Sequence, residues 1–140
     1  MSIEHHRELR VYQVAFEAAM RIFELSKSWP KEERYSLIDQ IRRSSRSVCG
    51  GIAEAWRKRR YIPHFVSKLS EADSEVAETQ VWLDFARDCG YIVQEQYTPL
   101  NASYEMVSGG LVKMMTEPEK WCGPSTLMVR ESEAEYGANV

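Results

Sequence analysis

Four stretches of the chain bring apolar residues back every three or four positions, the spacing that lines one face of an α-helix. From about Glu8 to Lys27 the returning positions are Val11 or Tyr12, Ala15, Ala18 or Ala19, Ile22 and Leu25. Ser28, Trp29 and Pro30 interrupt that stripe. Pro30 stands where a first helical turn tolerates it, and Glu32 and Glu33 follow where carboxylates suit the helix dipole. A second helix is therefore predicted over 31–60, with the seam Leu37, Ile41, Ser45, Val48, Ile52 and Ala55. Gly50 and Gly51 fall inside it. Each costs a helix about 1 kcal/mol relative to alanine, so the pair implies a bend or a neighbouring backbone packed very close.

The third stripe is the most regular: Ile62, Phe65, Leu69, Ala72, Val76, Thr79, Leu83 and Ala86, with Pro63 in the first turn and Gly90 where a left-handed C-cap is expected. It predicts a helix over 63–89, and the short connection near residues 60–62 makes helices two and three antiparallel neighbours. A fourth helix, expected over 98–116, carries Tyr97, Leu100, Tyr104, Val107, Leu111 and Met114. The predicted fold is all-α, an antiparallel up-down-up-down four-helix bundle over residues 7–118. Beyond it periodicity is lost, and residues 119–140 are expected to be a mobile tail in which neither Trp121 nor Leu127 is counted on to dock.

Composition narrows the class without naming a function. No apolar run approaches the roughly 18 residues of a membrane span, and the charged N-terminus does not read as a signal peptide, so no membrane association and a cytoplasmic address are expected. Cys49, Cys89 and Cys122 are far apart and odd in number, which argues against a disulfide framework. Cys49 and Cys89 are read as small buried residues. Charge is unevenly divided: residues 1–68 hold 14 Lys or Arg against 8 Asp or Glu, whereas residues 69–140 hold 4 against 13.

Catalytic chemistry finds little support. There is no phosphate-binding G-x-x-x-x-G-K-[ST] segment. His5, His6 and His64 form no helical pair able to hold a metal, and read better as exposed. Glu71, Glu75 and Glu78 share a helix face but lack a histidine partner. Glu54 lies beside the apolar seam and calls for a cation, either Arg57 at i+3 or an arginine from another helix. No second group completes an active site, so no enzyme, cofactor or metal is expected.

The strongest charge feature is residues 42–60, where Arg42, Arg43, Arg46, Arg57, Lys58, Arg59 and Arg60 face the single acid Glu54. Trp56 and Tyr61 flank the second group and are candidate stacking partners. Arginines beside aromatics suit phosphate contact and base stacking, as in RNA or single-stranded nucleic-acid binding. The alternative is a protein-interaction scaffold whose arginines are consumed in ion pairs. Folding helix three back on helix two brings Arg46 level with about Val76, so that Glu75 and Glu78 could neutralise Arg42, Arg43 and Arg46, while Asp39 could pair with Arg43.

Several segments resemble a known family: LRVYQ at 9–13, WPKEERYSL at 29–37, QIRRSSRSV at 40–48, IAE at 52–54, ETQ at 78–80 and GYI at 90–92. They are similar to the four-helix-bundle proteins encoded in bacterial 23S rRNA intervening sequences. The resemblance implies a homo-oligomer, a pentamer, and nucleic-acid binding like that of relatives that act as accessory proteins of diversity-generating retroelements. It implies no catalytic residues. The chain departs from the common pattern, a proline ahead of SNIAEG, by reading VCGGIAEAW over 48–56, so any role of that asparagine does not carry over.

Overall fold

The computed structural model describes residues 2–123. Four long helices account for most of them: α1 (Arg10–Ser26), α2 (Leu37–Arg57), α3 (Ile62–Asp88) and α4 (Gln94–Thr116). Each packs against the next in sequence and α1 packs against α4, closing an antiparallel bundle. The core is built from the predicted stripes. Every seam position named for α2 and α3 is buried, as are Leu100, Tyr104, Val107, Leu111 and Met114 of α4.

The boundaries differ from expectation where side chains, not periodicity, decide them. Helix two was expected from residue 31, but Lys31–Glu33 make only a 3-10 turn. The Glu33 carboxylate accepts from the Ser36 hydroxyl at 2.6 Å and the Leu37 N–H at 3.4 Å. It also accepts from the Tyr91 hydroxyl at 2.8 Å, which pins this turn to the α3–α4 connection. The helix restarts at Leu37 after Ser36 leaves helical geometry at φ −123°, ψ −100°. Helix four begins at Gln94 and not near residue 98, because Gln96 reaches back to accept from the Val93 N–H at 3.0 Å. Pro99 therefore sits inside α4, where it removes only the bond its own N–H would have made to Glu95. At the end of α3 the expected glycine cap is present: Gly90 has φ +79° and the Tyr91 N–H returns to the Ala86 carbonyl at 2.8 Å.

The first four residues of the expected tail are helical. Glu119–Cys122 form a short helix, α5, with Cys122 buried and Trp121 packed against the core. The rest of the expected tail, including Leu127, lies outside the described residues. Cys89 also corrects an expectation: it is exposed, because it stands one residue beyond the end of α3, past the last position that faces the core.

The glycines of α2 separate into two roles. Gly51 meets α3 so closely that a Cβ there would sit 3.0 Å from Ala72 Cβ, whereas a Cβ on Gly50 would meet nothing within 4 Å. On α4 a Cβ on Gly110 would run into Val11 Cγ1. Chemical denaturation should therefore find Gly50→Ala more stable by about 0.5–1 kcal/mol. Gly110→Ala should be less stable by about 1–3 kcal/mol, since overpacking must move a branched side chain. Equal effects at the two sites would contradict this packing.

Candidate nucleic-acid interface

The register of the α2–α3 hairpin decides which way each cation of α2 points. Ser44 and Thr79 are both buried, with their hydroxyls 2.8 Å apart, and Gly51 lies against Ala72. Arg46 is thus level with Val76 to within one residue, as expected. The expected neutralisation does not follow: among the described residues no ion pair within 4 Å joins Arg42, Arg43 or Arg46 to Glu75 or Glu78. At 100° per residue, Arg42 and Arg46 lie toward the α1 side of α2, and Arg43 faces outward.

On that flank Arg42 donates from Nε to Ser26 Oγ at 2.9 Å and its guanidinium lies 4.8 Å from the Phe23 ring centre. Arg46 lies 5.7 Å and Lys27 4.8 Å from the same ring, so three cations surround one half-buried phenylalanine. Arg43 makes the expected pair with Asp39 at 3.9 Å, a loose contact between exposed groups that is worth little. Arg34 joins Arg42, Arg43 and Arg46 around an open groove of about 550 Å³ that also takes in Ile38, Asp39 and Ser47. Arg34 was not singled out from the sequence, since two glutamates precede it and only the fold carries it to the arginines.

The second group of cations lies at the far end of α2, where eleven residues of helix place Arg57 roughly 16 Å from Arg46. Arg57, Lys58 and Arg60 are exposed and have no carboxylate within 4 Å among the described residues. Arg59 is different: it donates to the Trp56 carbonyl at 2.7 Å and lies 4.1 Å from the Trp56 ring centre. Trp56 corrects the expectation of a stacking partner. It is 3 % exposed, and its indole N–H is held by the Glu4 carbonyl at 3.2 Å, so the ring anchors the N-terminal segment and offers no free face. Tyr61 is half-buried, edge-on to His64 at 4.6 Å.

Glu54, expected to be partly buried and paired with an arginine, is exposed and pairs instead with Lys68 of α3 at 3.3 Å. Lys68 also meets Glu71 at 3.1 Å, and the two carboxylates raise its proton affinity, Glu71 foremost. His5 and His6, expected to be exposed, are half-buried, with their tilted rings 4.2 Å apart. Among the described residues no three His, Cys, Asp or Glu side chains gather as a metal-ligand set.

The family model described as 23S rRNA-intervening sequence protein matches residues 7–113. The chain belongs to that family. This 23S rRNA-intervening sequence protein is similar in fold to a solved relative, a protein of unknown function from the S23 ribosomal protein family of Bacteroides thetaiotaomicron, whose crystal structure extends to 1.70 Å. It is 29% identical, and the similarity covers 75% of this chain and 97% of the relative with a TM-score of 0.67. No curated protein matches the chain.

In this family member neither Glu75 nor Glu78 has an arginine within 4 Å among the described residues. Burial raises the Glu75 carboxyl above its ordinary range, Glu78 raises it further, and Arg43 opposes the shift only weakly. A carboxyl whose folded pKa is raised contributes stability below its unfolded pKa and loses it as pH rises through the folded value. Glu75→Gln should therefore raise the melting temperature at about pH 7 and give no gain below about pH 4. A loss of stability at pH 7 would instead show Glu75 paired with a cation.

Proposed function

We propose that this protein is a non-enzymatic, oligomeric nucleic-acid-binding bundle of the cytoplasm, with RNA as its class of ligand and the outward cations of α2 and of the α2–α3 turn as the contact. The observation that carries the reading is the failed neutralisation: Arg46, Arg57, Lys58 and Arg60 have no carboxylate within 4 Å among the described residues. Unpaired guanidinium and ammonium groups on one rigid helix and its turn form an electrostatic footprint for a polyanion, even on a chain of net charge −3. The family description names 23S rRNA without stating an activity, so the charges are the support.

RNA affinity should fall linearly with salt on logarithmic axes. Arg57→Ala, Lys58→Ala and Arg60→Ala combined should flatten the slope by roughly 0.7 for every phosphate of a single strand that is no longer neutralised. Arg59→Ala belongs to a separate arm, because it uncovers Trp56 and should lower stability more than the salt slope. No RNA binding at about 50 mM salt and micromolar protein would remove this reading. It would leave the interaction scaffold, whose arginines pair across protomers.

Assembly has its own support. The outward face of α3 carries Val81 and Phe85, the latter 54 % exposed. Phe85 borders an apolar groove of about 390 Å³ with Tyr35, Leu37, Trp82 and Cys89. An outward helix face is ordinarily polar, and an apolar one marks a contact surface. The assembly proposed is a pentamer, as the resemblance implies. Light scattering should give a multiple of the 16.2 kDa protomer, reduced to the single-chain mass by Phe85→Glu; a single-chain mass for the unmodified protein would refute assembly.

A further inference from the structure

Helix α1 carries two apolar stripes where a bundle requires one. Val11, Ala15, Ala18, Ile22 and Leu25 face the core. Tyr12, Phe16 and Met20, spaced four apart, and Phe23 follow a second line, on which Phe16 and Met20 remain 49 % and 46 % exposed. A helix that already buries one stripe needs a polar outer face, so the second stripe calls for an occupant.

The neighbours of that stripe define the occupant's chemistry. Counting 100° per residue from the core-facing Ala18 and Val48 places Tyr12, Phe16 and Phe23 toward the α2 side of α1, and Arg42 and Arg46 toward the α1 side of α2. The contacts agree: Arg42 and Arg46 lie 4.8 and 5.7 Å from the Phe23 ring, and Arg42 is bonded to Ser26 of α1. Toward the other end of the border the rings continue, His6 to Tyr12 at 4.8 Å and Tyr12 to Phe16 at 5.9 Å with their planes 30° apart, and Arg57 lies near enough to bear on the charge of His6. No carboxylate comes within 4 Å of Arg42, Arg46 or Arg57 among the described residues, and Glu17 and Arg21 of α1 lie on its other flank, in a groove with α4.

We infer that this ledge binds single-stranded nucleic acid, with bases stacked on Tyr12 and Phe16 of α1 and phosphates held by Arg42, Arg46 and Arg57 of α2. The inference rests on the nucleic-acid reading above and narrows it to a strand with free base faces. Rings with unpaired arginines at either end match a polymer that alternates flat apolar faces with anions, and stacking of this kind tolerates any base. A duplex keeps its base faces covered and can use only the arginines.

Anisotropy titrations of the full chain at one salt concentration test it, with a short oligouridylate, an RNA duplex of equal length and inorganic polyphosphate as probes. The unmodified protein should bind the single strand more tightly than the duplex. Phe16→Ala and Phe16→Leu should each lose about tenfold affinity for the single strand, Phe16→Tyr should retain it, and binding of duplex and polyphosphate should not change. Leucine keeps apolar area without a ring, so unimpaired binding by Phe16→Leu overturns the stacking role, as does equal affinity of the unmodified protein for strand and duplex. A change of oligomer mass in Phe16→Ala overturns it too, since a second copy would then occupy the ledge. If the unmodified protein binds none of the three probes, the nucleic-acid function itself falls, and this inference with it.

Discussion

The close approach of α2 to α3 is the constraint on which the rest of the molecule depends. A residue without a side chain, Gly51, lets Ala72 come to contact, and one buried pair of hydroxyls, Ser44 and Thr79, sets the register. Each hydroxyl also lies within bonding distance of a carbonyl of its own helix, 2.8 Å for Thr79 to Glu75 and 3.4 Å for Ser44 to Ile41. A slip by one residue would break the bond between the two hydroxyls, at a net cost of about 0.5–1.5 kcal/mol. Larger side chains at position 51 would separate the helices. With register and distance both set, α2 cannot rotate, and its arginines are committed to their directions.

That fixed rotation explains what the sequence disclosed and what it withheld. The seams of α2 and α3 were legible because a strict alternation of three and four specifies a helix face without reference to any partner. The helix starts were less so. Pro30, Glu32 and Glu33 suit a 3-10 turn as well as an α-helix, and the restart at Leu37 rests on Glu33 bonding to Tyr91, 58 positions away. The arginines of the candidate site were plain from their density. Their partners were not, because rotating α2 by one residue's 100° exchanges Glu75 for Phe23 as the neighbour of Arg42.

The aromatics follow the same rule. Trp56 stands beside Arg57 in sequence yet is turned into the core, where Arg59 covers it. Phe23 is some twenty residues from Arg42 and Arg46 yet meets both across the α1–α2 packing, and Tyr12 and Phe16 stack farther along the same helix. Of these rings the helical periodicity brought out Tyr12 alone, since Phe16 and Phe23 lie off the stripe that faces the core. Family membership explains the bundle without supplying an activity, since the solved relative is itself of unknown function. The physical case for nucleic acid therefore rests on local charge: basic groups along α2 and, among the described residues, a single ion pair between α2 and α3, Glu54 with Lys68.

The most direct test is to locate the contact. Ultraviolet crosslinking of a single-stranded oligonucleotide to the full chain, followed by mass spectrometry of the digested complex, reports which side chains lie against bases. Crosslinks are expected within the N-terminal segment, α1 and α2, at Tyr12 and Phe16 above all, and they should disappear as salt is raised. Crosslinks concentrated on α3 or α4, or insensitive to salt, would contradict a basic ledge between α1 and α2 as the binding surface.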